Sequence, residues 1–192
     1  LDADRHIVRG KGTIVWKNAS ELPANEIWIH LYLNAFKNER SVFLRSPFGA
    51  GRSGGRATDW GYTDVARLTA RELGGVDLWP KAASHTPDDP DDQTDIRVPL
   101  PAAIEPGQTL TLEVEFTSKL PEIIERTGYS GDFHFVGQWF PKLARRERDG
   151  SWVHFPFHSQ AEFYADFGRY DLTLDVPDTM VVGATGVRVE ER

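Results

Sequence analysis

The chain has 192 residues, 40% hydrophobic and 27% charged side chains, and a formal net charge of −7. Those values describe one globular domain able to bury a sizeable core. They argue against nucleic acid, because phosphate binding needs a basic face and Lys142 to Arg148 is the only basic cluster. With no cysteine, disulfides, thiolate nucleophiles and Cys-ligated metal sites are excluded. No apolar run approaches the ~20 residues that span a bilayer.

The dominant period is two, carried by β-branched and aromatic residues between turn signals. Ile7-Val8 and Thr13 to Trp16 predict a long strand interrupted at Gly10 and Gly12. Asn18-Ala19-Ser20 is a turn, and Ile27 to Leu33 is the next strand. Ser41 to Leu44 reads as a short extended run. Thr63 to Leu73, ended by Gly74-Gly75, suits either a helix or a strand. Ile96 to Leu100 reads as a strand closed by Pro99 and Pro101. Pro106-Gly107-Gln108 is a turn into Thr109 to Phe116, whose alternation predicts one buried and one wet face. Phe133 to Phe135, Trp152 to Phe155, Tyr170 to Val176 and Met180 to Ala184 complete the expected strands. Arg148 to Ser151 reads as a hairpin turn. Two loops, Ser46 to Gly61 and Pro80 to Thr94, are expected to be exposed and mobile. No linker divides residues 1–192 into two domains.

Several constellations invite functional readings. Gly49-Ala50-Gly51-Arg52-Ser53-Gly54 matches a dinucleotide fingerprint, but no helix start follows the glycines, so a flexible loop is the better reading. His154 and His158 have the i, i+4 spacing of a zinc helix, yet Pro156 between them breaks a helix. In a strand they would lie about 13 Å apart, too far to share one ion. Among the six histidines, packing beside aromatics is expected rather than a metal site. Asp88 to Asp95 reads as a solvated acidic loop in preference to a calcium loop, since EF-hand spacing is absent. Glu162 and Asp166 carry no glycosidase signal by themselves. The aromatics between Trp139 and Tyr170 read as a core wall with a few residues facing a cleft.

Gly137-Gln138-Trp139-Phe140-Pro141-Lys142-Leu143 comes first, then Trp152 and Pro156-Phe157-His158. Glu162 to Asp171 and Val176-Pro177 follow, and the series ends in Val182-Gly183-Ala184-Thr185-Gly186. Together these resemble the N-terminal domain of aminopeptidase N-like zinc metallopeptidases. The start of the chain, with Asn18-Ala19-Ser20 leading to Ile27 to Leu31, resembles that family's first strands. The resemblance covers nearly the whole chain and is weakest in the two loops.

It implies an all-β, large saddle-like assembly, a β-sandwich with mixed sheets and long loops, docked on a thermolysin-like domain. That downstream catalytic domain carries the zinc in HExxH and a Gly-x-Met-Glu-Asn loop. Neither motif occurs here, so no catalytic residue, metal ligand or cofactor is expected in this chain. The opening Leu1-Asp2-Ala3-Asp4 is not a leader and reads as the continuation of something longer. The resemblance also implies that Gln160 and Glu162, as a Gln-x-Glu element, help hold the free α-amine of a peptide substrate. The expected partners are the chain's own catalytic domain and a peptide N-terminus, with no nucleic acid and no membrane span. A stand-alone β-sandwich binding module for carbohydrate or protein is the alternative.

Overall fold

Twelve strands run through the computed structural model, which describes residues 1–46, 59–86, 89–160 and 164–191. They are β1 (Ile7–Lys17), β2 (Ala24–His30), β3 (Tyr62–Ala70), β4 (Val76–Asp77), β5 (Ala83–Ser84) and β6 (Asp95–Ile104). The rest are β7 (Thr109–Lys119), β8 (Gly128–Ser130), β9 (Phe133–Phe135), β10 (Lys142–Leu143), β11 (Arg145–Arg146) and β12 (Trp152–Val153). One four-stranded sheet has the order β1-β7-β3-β4 and the other β10-β2-β6-β5, with every pairing antiparallel. Two small ribbons, β8-β9 and β11-β12, stand apart from them. The all-β class follows from the period-two patterning.

The two sheets face each other across one core. Ile27 and Ile29 of β2 and Val98 of β6 join Leu68 of β3 and Leu110 and Leu112 of β7 in a single buried cluster. Each such side chain contributes roughly 1.5–3 kcal/mol by leaving water. A second cluster at one end gathers Leu33, Phe36, Phe43, Leu120 and Phe157. There the Phe43 and Phe157 rings stack 4.9 Å apart.

Turn chemistry fixes the connections. Asn18 is fully buried, and its Oδ1 accepts from the Ser20 N–H at 3.1 Å and the Ser20 hydroxyl at 2.7 Å. The Arg148–Ser151 turn closes β11 onto β12, with Glu147 N–H donating to the Ser151 carbonyl and Gly150 at φ +86.

Several expectations need correction. β1 is not interrupted at Gly10 and Gly12, because all eleven of its residues pair with β7. β2 stops at His30, and Tyr32–Phe36 turns as a 3-10 helix. Ser41 to Leu44 is not extended: Val42–Arg45 is one helical turn, and the Ser41 hydroxyl caps it by accepting from Leu44 N–H at 3.2 Å. Thr63 to Leu73 resolves as β3 plus a single 3-10 turn, Arg71–Leu73. β6 runs through Pro99 and Pro101. β5 reaches only Ile96 and Arg97, so beyond them one side of β6 has no described neighbour and a missing N–H costs no ladder bond there.

Tyr170 to Val176 and Met180 to Ala184 form no strand, and none follows Val153 among the described residues. The alternation is present, with Tyr170, Leu172 and Leu174 exposed. No described strand lies beside them to supply the ladder that defines a strand.

The Pro80 to Thr94 loop is not wholly exposed, and the acidic run is not wholly solvated. Asp89 is 6% exposed, while Asp92 and Thr94 are fully buried. Asp92 Oδ1 accepts from Thr94 N–H at 3.0 Å and from the Thr94 hydroxyl at 2.5 Å, while its Oδ2 accepts from Val42 N–H at 3.0 Å. Short local bonds turn these carboxylates inward, where they pin the loop to the helical turn. Most of Ser46 to Gly61, including the glycine-rich match, lies outside the described residues.

Candidate functional site

The most concentrated chemistry lies on the face of the β10-β2-β6-β5 sheet turned away from the main core. Ile27 and Ile29 of β2 point into the core, so the intervening Trp28 and the next residue, His30, fall on the opposite face. Pairing then places His30 opposite Asp95 on β6 and opposite Lys142 on β10. His85, just past β5, donates its backbone N–H to the Asp95 carbonyl at 3.0 Å. The cross-strand row therefore reads Lys142, His30, Asp95, His85.

The chain after β12 folds down over this row. His154 Nδ1 contacts Asp95 Oδ2 at 2.7 Å, and the other oxygen, Oδ1, lies 3.7 Å from His30 Nδ1. The His154 ring stacks on Trp28 with centroids 3.4 Å apart and planes within 14°. His85 meets the same indole edge-on at 5.0 Å. Trp28 Nε1–H donates to Glu26 Oε1 at 3.0 Å, and the Arg97 guanidinium binds Glu26 Oε2 at 2.6 Å.

Burial governs the electrostatics. Desolvation, reinforced by His154 and Lys142, lowers the His30 pKa to about 4, so the ring is neutral near pH 7. Desolvation raises Asp95 against the opposing pull of its His154 hydrogen bond. Lys142 is lowered by burial, and its ammonium donates to the Gln138 amide oxygen. The arrangement can hold a proton between a carboxylate and an imidazole. It lacks a described nucleophile in hydrogen-bond reach of His154.

The chain runs on from His154 of this row toward Gln160, the first of the two residues expected to bind an amine. Phe157 N–H donates to the Thr94 hydroxyl at 3.0 Å, and the Ser159 hydroxyl meets that of Ser46 at 2.6 Å. Gln160 follows directly, exposed at the end of a turn. Glu162 lies outside the described residues. Further along the chain, Tyr164 OH accepts from the Arg145 guanidinium at 2.6 Å, and the ring lies under that cation at 5.1 Å.

His154 and His158 take different partners: His154 bonds Asp95, while the His158 ring lies 6.2 Å from that of Phe155. The Lys142 to Arg148 cluster is taken up internally. Arg146 binds the Ser20 hydroxyl and the Pro23 carbonyl, and Arg148 binds Glu21. The aromatic wall divides, with Phe157 buried, Trp139 and Trp152 half-buried, and Phe167 and Tyr170 exposed. Among the described residues no group of three or more acidic or histidine side chains converges as metal ligands do. No described helix is long and apolar enough to cross a membrane.

Sequence reading missed His30 and Asp95. The available signal was a histidine within the apolar run Ile27 to Leu33. No family model, curated protein or solved structure matches this chain.

Proposed function

We propose that this chain is the non-catalytic N-terminal domain of a zinc aminopeptidase of the aminopeptidase N type, forming the end of the cleft that receives a peptide's free α-amine. The motif resemblance motivates this reading. What supports it most is the use the fold makes of the resembling segment. The Trp139 carbonyl accepts from the Ser118 hydroxyl at 2.6 Å and its ring packs on Phe116, while Lys142 and Leu143 extend the second sheet. His154 covers Trp28 and Phe157 stacks on Phe43. A segment tied to both sheets then releases Gln160 at the surface, which suits presenting a ligand group from a rigid base.

An ammonium ion offers only donors. The Gln160 amide oxygen and the Glu162 carboxylate are suitable acceptors, and the carboxylate supplies the opposing charge. Zinc belongs to the downstream catalytic domain, where it would polarise the scissile carbonyl and activate water. The two sheets with their long connections would form the body of the saddle. Residues 164–191, which expose Phe167, Tyr170, Leu172, Leu174, Val181 and Val187, would supply the face that docks on that domain.

In the full-length protein, Glu162→Gln is expected to lower kcat/KM for a peptide with a free amine by about 10- to 100-fold, the loss of one charged hydrogen bond. Thermal stability should be unchanged. An unaltered kcat/KM in both Glu162→Gln and Gln160→Ala would contradict the amine-binding role. The binding-module reading finds less support, because all six tryptophans are buried or half-buried and a stacking platform needs them in solvent.

A further inference from the structure

We propose that His6 and His134 form a two-nitrogen chelating site for a late first-row divalent cation, Ni²⁺ or Cu²⁺, joining the start of β1 to the β8-β9 hairpin. His6 Nδ1 and His134 Nε2 lie 2.9 Å apart although the residues are 128 positions apart in sequence. Both rings are half-buried.

Hydrogen bonding sets the tautomers. His134 Nδ1 lies 3.1 Å from the Asp132 carbonyl. A carbonyl can only accept, so Nδ1 carries the proton and Nε2 of the neutral ring presents a lone pair toward His6. Metal-binding histidines are oriented in this way, with one nitrogen donating to a backbone carbonyl and the other left for the ion. His6 Nδ1–H then donates to His134. On binding an ion the His6 proton moves from Nδ1 to Nε2, so both facing nitrogens offer lone pairs and no proton is lost overall.

The separation selects the coordination geometry. Adjacent ligands of a square-planar or octahedral ion with bonds near ~2.05 Å stand about 2.9 Å apart, whereas a tetrahedral ion spreads them to roughly 3.3 Å. The rings point at each other, with centroids 5.1 Å apart across the 2.9 Å hydrogen bond, so the ion replaces that bond and each ring turns by roughly 45° to aim its lone pair, with water completing the shell.

The surroundings keep the two rings side by side. His6 sits at φ +54, a left-handed conformation that few non-glycine residues adopt. Its ring stacks on Tyr129 with centroids 3.4 Å apart and planes within 7°. Tyr129 OH donates to Asp59 Oδ2 at 2.9 Å, and Lys119 binds the other oxygen of Asp59 at 2.6 Å. The His6 carbonyl also accepts from Leu120 N–H at 2.8 Å. Burial and the facing His134 lower the His6 pKa, which keeps the ring neutral and available to a metal. This site departs from the expectation that all the histidines serve packing. It does not depend on the aminopeptidase reading.

Calorimetric titration of the untagged protein with Ni²⁺ at pH 7.5 tests the proposal. One ion per chain should bind. Binding should weaken at least tenfold in His134→Gln and in His6→Asn, where asparagine tolerates the left-handed backbone. His158→Gln should leave binding unchanged. Electron paramagnetic resonance of the unmutated protein with one equivalent of Cu²⁺ should show coupling to two imidazole nitrogens. No saturable Ni²⁺ binding, binding indifferent to both substitutions or lost with His158→Gln, or coupling to a single nitrogen would each overturn it.

Discussion

Asp95 and His154 are 59 residues apart in sequence and joined at 2.7 Å in space, Oδ2 to Nδ1. That bond fastens the chain after β12 onto the outer face of the second sheet, directly above His30. It leads the segment that presents Gln160 across a buried, titratable floor, and so couples that segment to proton uptake.

The coupling predicts acid sensitivity. Burial lowers the folded pKa of His30 to about 4 from the ordinary histidine value of 6.5. The unfolded chain therefore binds the proton first as pH falls, and the stability present near pH 7 is lost between about 6.5 and 4. The loss is at most on the order of 3 kcal/mol, from 1.36 kcal/mol per pH unit. Asp95 has the opposite sign. Its raised folded pKa favours the fold at low pH and costs stability as pH rises through it, so it partly offsets the loss. Urea unfolding at pH 7 and pH 4.5 should show the decline, and His30→Gln should flatten it. An equal decline in His30→Gln would assign the acid sensitivity elsewhere.

Two glycines on β1 separate backbone freedom from steric need. A Cβ on Gly10 would stand 2.2 Å from the Phe116 ring that covers it, whereas one on Gly12 meets nothing within 4 Å. Gly10→Ala should destabilise by about 1–3 kcal/mol through overpacking. Gly12→Ala should be neutral or stabilise by up to about 1 kcal/mol, because it restricts the unfolded chain. Equal effects in thermal melts would argue against the close cover by Phe116.

The Asp92 knot should be structural rather than calcium-dependent. Asp92→Ala strands the buried Thr94 donors and the half-buried Val42 N–H and should cost about 2–4 kcal/mol. Asp91→Ala, which loses a surface pair with Arg40 at 3.1 Å, should cost under about 1 kcal/mol. A melting temperature of the unmutated protein that climbs with millimolar Ca²⁺ would contradict this role.

Much of the fold was legible because strands bounded by strong turn residues betray their period. Asn18 to Ser20, Pro106 to Gln108 and Arg148 to Ser151 all turn where expected, and Thr109 to Phe116 buries Leu110, Leu112, Val114 and Phe116 on one face, although Thr111 on the other is covered as well, with its hydroxyl on Glu72. Interior positions covered on both sides were harder to read. β2 alternates between two buried faces, so His30 carries no period signal that marks it as part of a site, and Asp95 resembles the acids of the preceding loop. Burial of Asp89 and Asp92 depends on donors around fifty residues away in Arg45 and Val42, which local composition does not reveal. Tyr170 to Val176 shows the converse: local alternation states a preference for strand, but the ladder depends on a neighbour.

Reading the native coding region beyond Arg192 tests the central claim most directly. The account predicts a Gly-x-Met-Glu-Asn element followed by HExxH and a further glutamate, which would place this chain on the substrate side of a zinc aminopeptidase. A stop codon shortly after Arg192, or a downstream domain without those motifs, would contradict the claim and put the stand-alone binding module in its place.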